Sequence, residues 1–358
     1  MKVVIAPDSF KGSVSNVEAA FAIRSGWLSQ RPGDVIICKP MADGGEGTLE
    51  TIAAANDDSI KVEIDLPHRP YWLLLPDGTA CVELAMICGI TVIEKLDALH
   101  ASTYSLGRVL KVIANDQRVM KIIVAVGGSA STDGGVGAVA ALGGRFLNQL
   151  GDEIALGGDG LNELASIDLS QVTRPPSGGV VCLADVTNPL LGESGAASVF
   201  APQKGATVEE VALLEAGLTQ LQHIAKLPDF PGAGAAGGTP YGLRLAWDAQ
   251  LESGSKTIAN IIQLEEAIRD CDLVITGEGK LDSQSEHGKV VGTVVALAKK
   301  YEKPIRYCVG SSTVPFNSQP YEDGIALMEI APSLGDAMGR SQYWLTQAGV
   351  KLAADWAN

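Results

Sequence analysis

The chain has 358 residues and a mass of 37.2 kDa, enough for one large or two ordinary domains. Apolar residues make up 46% and charged residues 19%, which excludes intrinsic disorder as the dominant state, and no apolar run approaches the roughly 18 residues that span a bilayer. A net charge of −15 repels polyanions, so neither nucleic acid nor an anionic membrane is an expected partner.

The first residues, Met1-Lys2-Val3-Val4-Ile5-Ala6-Pro7, run into strand-like sequence without the h-region of a signal peptide, so a cytoplasmic location is expected. This strand ends in Asp8-Ser9-Phe10-Lys11-Gly12. Ser15 followed by Glu18 reads as a capping box, with Val17, Ala20, Phe21 and Leu28 on roughly one helical face. A second β-branched run, Val35-Ile36-Ile37-Cys38, ends in Met41-Ala42-Asp43-Gly44-Gly45-Glu46-Gly47-Thr48. From 61 to 89 the texture changes to antiparallel hairpin strands turning at Asp77-Gly78. That break predicts a second domain inserted into the first.

Ile122-Ile123-Val124-Ala125-Val126 ends in Gly127-Gly128-Ser129-Ala130-Ser131-Thr132-Asp133-Gly134-Gly135, and Val181-Cys182-Leu183-Ala184 ends in Asp185-Val186-Thr187-Asn188-Pro189. The Gly- and Pro-rich stretch 231–240 predicts a ligand loop or hinge, and helical sequence over 257–268 leads back to a strand at 272–276. That strand ends in Gly277-Glu278-Gly279-Lys280-Leu281-Asp282, and the last, 305–309, in Gly310-Ser311-Ser312. The six cysteines form no C-x-x-C pair and mostly sit in apolar runs, as reduced, buried residues do.

Acids and hydroxyls in glycine-rich loops after strands suit phosphoryl transfer: backbone N–H groups hold phosphate oxygens while carboxylates hold a divalent cation and position an acceptor hydroxyl. Asp8, Asp43, Glu46, Asp185, Glu278 and Asp282 are the acids in question, and Lys11, Lys204, Lys280 and Lys289 the cations for phosphate or a small carboxylate. Nothing local marks Arg69 or Arg108. Acids alone would repel a nucleotide, so the cluster makes sense for ATP only with magnesium among them. Taken singly, Asp43-Gly44-Gly45 or Gly277-Glu278-Gly279 is more often a solvated turn. Recurrence at several strand ends favours one shared site, because open α/β sheets bind ligands there.

Other signatures fail. Gly288-Lys289 is followed by Val290 and lacks the first glycine of a P-loop. Gly135-Val136-Gly137-Ala138-Val139-Ala140 fits a relaxed dinucleotide fingerprint but begins too far past its strand, and reads as helix packing by small residues. There is no G-x-S-x-G, and His68, His100, His223 and His287 have no metal-binding spacing.

The blocks 6–13, 40–48, 127–137 and 277–282, with Pro202-Gln203-Lys204-Gly205-Ala206 and 231–238, together resemble the bacterial class I glycerate kinase family along essentially the whole chain. The resemblance implies an ATP- and magnesium-dependent kinase of D-glycerate, usually forming 2-phosphoglycerate. It also implies an α/β fold in which a Rossmann-like parallel-sheet domain, expected at 1–60 plus 265–358, is interrupted by a mixed α/β domain at 61–264, with the active site in the cleft between them. Asp185 is the expected base, with Lys11, Asp8 and Asp43 catalytic. Asp43, Glu278 and Asp282 are the expected metal ligands. Substrate or phosphate contacts are expected from Ser9, Gly44, Gly45, Glu46, Gly127, Gly128, Ser129, Ser131, Thr132, Asp133, Asn188, Lys204, Gly279 and Lys280. Two departures stand out. Gly192-Glu193-Ser194-Gly195 replaces a G-P-x-G turn, and Thr239-Pro240-Tyr241-Gly242, in place of small residues, bears on the shape of the substrate pocket. Two alternatives share these features: a kinase of another small hydroxy acid, and a carboxylate or nucleotide sensor without turnover.

Overall fold

The computed structural model describes residues 1–282, 289–316 and 323–356, so His287 and Gly288 lie outside the described residues. The chain divides into two compact units, one of Met1–Asp43, Glu50–Asp57 and Ser255–Asn358, the other of Gly44–Leu49 and Asp58–Gly254. The return to the first unit thus comes at Ser255, where the sequence reading set it at 265.

The first unit is built on five parallel strands in the order Gly324–Ala326, Ile305–Val309, Leu273–Gly277, Lys2–Pro7, Val35–Cys38. Val3, Val4 and Ile5 are fully buried, as are Leu273, Val274 and Ile275, which is why these runs are continuously apolar instead of alternating. The chain leaves Lys2–Pro7 to one side, pairing Val3 with Ile36, and returns on the other, pairing Pro7 with Gly277. The order of the strands therefore reverses between the ends of Lys2–Pro7 and Leu273–Gly277. In open α/β sheets this reversal opens a crevice beyond the strands' carboxyl ends.

The helix Asn16–Gln30 starts with the expected capping box between Ser15 and Glu18. Its buried side is not the expected one. Ala19, Ala20, Ile23, Gly26 and Trp27 face inward, whereas Phe21 is 48% exposed. Close packing on the helix Ser341–Ala354 selects the small-residue side. A Cβ on Gly26 would lie 2.0 Å from the Thr346 carbonyl oxygen, and one on Gly349 would lie 2.4 Å from that of Ile23. The helical sequence over 257–268 is two helices, Gly254–Ile261 and Leu264–Arg269, separated at Gln263 with φ 56°.

The second unit carries a mixed six-stranded sheet whose spatial order follows the chain: Ile60–Glu63, Tyr71–Leu74, Thr79–Glu83, Lys121–Ala125, Val180–Leu183, Gln250–Glu252. The first three pair antiparallel and the rest parallel. The Asp77-Gly78 turn is present, with Gly78 at φ 82° and its N–H donating to Leu75. Small residues of the 135–140 stretch pack helix on helix as expected: a Cβ on Gly107, in the helix Tyr104–Ala114, would lie 2.2 Å from the Ala138 carbonyl oxygen in the helix Val136–Leu142. The stretch 231–240 is a brace: Cβ atoms on Gly234 and Gly237 would lie 2.0 and 2.1 Å from the carbonyls of Pro189 and Ser131. Its continuation is the helix Thr239–Trp247, with Tyr241 in the core and its hydroxyl donating to Leu227, so this departure shapes the core instead of a pocket.

The six cysteines are free, five of them buried, and burial pushes the Cys81, Cys88, Cys182 and Cys308 thiols up to about 12. Among the described residues no helix is long and apolar enough to cross a membrane.

Candidate active site

In the first unit a cavity of about 430 Å³ opens beyond the carboxyl ends of the parallel strands. Asp8, Ser9 and Lys11 reach it from the end of Lys2–Pro7, Asp43 from the loop after Val35–Cys38, and Glu278, Gly279, Lys280 and Asp282 from the end of Leu273–Gly277. Lys289, Gly310 and Ser311 complete its polar side. Tight backbone packing makes this convergence feasible. The Asp8 N–H donates to the Gly277 carbonyl at 2.8 Å, and a Cβ on Gly277 would lie 1.6 Å from the Cys308 carbonyl oxygen. The N–H groups of Gly310 and Ser311 donate to Glu278 and Gly279. Phe10 and Val14 exchange backbone hydrogen bonds, folding 10–14 into a turn around Gly12 at φ 75°.

Asp8 is the electrostatic centre of this group. Burial and, next, the Asp43 carboxylate push its carboxyl up to about 7; Glu278 adds to this, while the Ser9 N–H and Lys11 work against it. Like charges held this close and this dry invite a cation. Among the described residues, no three His, Cys, Asp or Glu side chains are grouped to hold a metal by themselves. Magnesium does not need that: it takes one or two carboxylates and fills its octahedron with water and phosphate oxygens. Oxygen donors confined among lysines fit that ion with a phosphate beside it.

The second unit holds the remaining expected residues, and several face inward. Ser129, Ser131, Thr132 and Asp133 are buried, leaving Gly127 and Gly128 as the accessible part of their loop. Asp133 accepts from the Thr103 N–H and hydroxyl, both at 2.8 Å, from Ser102, and from the N–H groups of Gly135 and Gly137. It binds the loop to the helices Tyr104–Ala114 and Val136–Leu142, and its oxygens are spent there, not on phosphate. Lys204 is 2% exposed, with its ammonium on the Ser131 carbonyl and 3.5 Å from the Thr132 hydroxyl. Burial brings its pKa down to about 8 against the opposing pull of Asp133. Lys204, expected from its residue type as a charge for phosphate or a small carboxylate, thus braces this loop from within.

Gly44 and Gly45 are buried at the ends of two strands: a Cβ on Gly44 would lie 2.8 Å from the Leu183 carbonyl oxygen, and the Gly127 N–H donates to Gly44 at 2.9 Å. Glu46 is exposed. Asn188 donates to the Ser194 carbonyl, which holds the altered 192–195 turn against its own loop. Asp185 follows Val180–Leu183 and accepts the Ser253 hydroxyl at 2.6 Å.

Two supporting residues have no sequence signal. Glu83, 2% exposed at the end of Thr79–Glu83, accepts the N–H groups of Gly47 and Leu49 and so holds the loop after Gly45. In the sequence it reads as one more strand residue. Ser253, which holds Asp185, follows the next strand, Gln250–Glu252, 68 residues further on, and no spacing reveals it.

A profile of the Glycerate kinase family matches residues 3–357. The chain belongs to that family. It is 40% identical to the glycerate 2-kinase of Escherichia coli K12, over 87% of this chain and 86% of that protein. It is 37% identical to the glycerate kinase of Bacillus subtilis 168, over 99% and 97%. A solved structure from Salmonella typhimurium LT2, provisionally named glycerate kinase 2, superposes with a TM-score of 0.81 at 36% identity, covering 99% of this chain and 97% of that one. Membership makes the fold that of a kinase family and confirms the α/β class with a parallel sheet in one unit and a mixed sheet in the other.

Proposed function

We propose that this is a cytoplasmic enzyme that transfers the γ-phosphoryl group of ATP to a hydroxyl of D-glycerate, with Mg²⁺, giving 2-phosphoglycerate. One observation carries the reading. Asp8, Asp43, Glu278 and Asp282 share a cavity with Lys11, Lys280 and Lys289 where the strand order reverses, and burial, with the Asp43 carboxylate beside it, moves Asp8 to about 7. The names of the relatives supply the acceptor.

Asp43, Glu278 and Asp282 would hold the ion, which when bound neutralises charge on the phosphate oxygens. Lys11 and Lys280 meet the phosphate charge directly, and Gly279 and Ser9 offer polar groups beside them. Gly128, exposed at φ 77°, presents backbone to an anion, whereas the N–H of Gly127 is spent on Gly44. Asp185 takes the proton of the attacking hydroxyl while the new O–P bond forms and the bond to the β,γ-bridging oxygen breaks, releasing ADP. The Ser253 hydroxyl donates to Asp185 and fixes its orientation.

Purified protein incubated with ATP, MgCl₂ and D-glycerate tests this. ADP release that requires glycerate and stops with EDTA, with a 2-phosphoglycerate resonance by phosphorus NMR, is the expected result. ADP release with another hydroxy acid alone, or ATP binding with no acceptor-dependent turnover, overturns it.

A further inference from the structure

The same cavity has a second chemical half. Besides the acids and lysines it is lined by Leu327, Leu334, Ala337 and Met338. The helix Leu334–Gly339 places residues 334, 337 and 338 on one side by the spacing of three and four, while Asp336 turns away to the Trp344 indole N–H at 2.6 Å. Leu334 is 58% exposed and Met338 46% exposed. Large apolar side chains left open beside a charged cavity mark a surface that something covers.

We propose that this wall seats the heteroaromatic base of the donor nucleotide, with its phosphates toward Lys11 and Lys280. The inference rests on the kinase reading above and adds which substrate this cavity takes and by which side chains. D-Glycerate carries an oxygen on each of its three carbons and has no apolar face to bury, so the wall offers it nothing. A nucleobase is flat and poorly hydrated on its faces, and a methionine sulfur packs well against such a ring. The volume of about 430 Å³ lies in the range of ~300–1,000 Å³ typical of cofactor-sized sites, well beyond what a three-carbon acid fills.

The two halves are also tied at a fixed distance. The Ser13 hydroxyl, in the turn that carries Lys11, donates to the Ser341 hydroxyl, which in turn donates to the Met338 carbonyl at 2.9 Å. A base on the wall and a phosphate at Lys11 are thereby held in one register by the protein.

Met338→Glu and Leu334→Glu test this, with Met338→Ala and Leu334→Ala as milder variants and thermal melting as the folding control. The expected result is a KM for ATP raised about tenfold or more in the Glu variants, a smaller rise in the Ala variants, and a KM for D-glycerate within about twofold. Inhibition by magnesium inorganic triphosphate, which has no base, stays unchanged. An unchanged KM for ATP in folded variants overturns the base site, as does a shift in the glycerate KM instead. So does loss of a dimer by light scattering with ATP kinetics intact, which would make the wall a contact between copies. If wild type shows no turnover with glycerate, calorimetric titration with ATP still decides: the kinase reading fails, and the base site stands or falls on whether the Glu variants weaken ATP binding.

Discussion

The N–H of Asp8 donates to the carbonyl of Gly277 at 2.8 Å, one residue before Glu278, so two acids from distant parts of the chain leave adjacent strand ends into the same cavity. Their closeness costs the folded state free energy. A carboxyl raised to about 7 by burial and by Asp43 binds a proton that the unfolded chain releases near 3.8. The folded state thus holds more protons between those values, and its stability falls as pH rises through that window. Asp8→Asn is expected to raise Tm at pH 8 in metal-free buffer and to flatten the slope between pH 4 and 7, while lowering kcat by about 100-fold or more. Calorimetric melts against pH and steady-state kinetics check both.

Lys204 has the opposite sign of linkage. Burial lowers its pKa to about 8 against 10.5 when unfolded, so between those values the unfolded chain binds the extra proton and stability rises with pH. Lys204→Met removes that rise. It also strips the Ser131 carbonyl of its donor, for a cost of about 1–3 kcal/mol at neutral pH. Urea titrations at pH 7 and pH 10 check this: wild type gains stability across that interval and the Met variant does not.

Gly277 has no room for a side chain. Gly277→Ala places its Cβ 1.6 Å from the Cys308 carbonyl oxygen, between two buried strands, and is expected to cost more than about 3 kcal/mol or to abolish soluble expression. Gly12→Ala, at φ 75° with nothing within 4 Å, pays only for its backbone conformation, about 1 kcal/mol. Chemical denaturation of the two variants side by side measures the contrast.

Glu83→Gln keeps the size of the side chain but replaces one of the two carboxylate oxygens with an amide NH₂, so the N–H groups of Gly47 and Leu49 share a single neutral acceptor. A loss of about 1.5–3 kcal/mol in stability is expected. Because Glu83 holds the loop that begins at Gly44 and Gly45, kcat/KM falls as well, and Glu83→Asp restores less than half of it. Denaturation midpoints and kinetics of the three proteins check the ordering.

The strand ends were legible because β-branched runs stop at glycine and acid, and a chain can do that only where a buried strand meets an open loop. Asp8, Asp43, Glu278 and Asp282 follow directly, as does the Asp77-Gly78 hairpin. What the sequence does not carry is direction. Asp133 and Lys204 have the residue types of a phosphate site, yet both point into the protein, Asp133 toward Thr103 and Lys204 toward Ser131. Phe21 belonged to the expected apolar stripe, but the contact at Gly26 and Gly349 turned the helix so that small residues face in. The wall of Leu334 and Met338 escaped notice because three apolar residues on a short helix look like any surface helix until the cavity beside them is seen.

The helix Asn16–Gln30 and the helix Ser341–Ala354 touch backbone to backbone at Gly26 and Gly349, and the first strand is bordered by one that begins at Leu273. On the ribosome, at roughly 5–20 residues per second, the opening segment waits some tens of seconds for these neighbours to emerge. The sheet of Asp58–Gly254 has all its strands by then. The part of the chain made first therefore completes its sheet only when the part made last arrives.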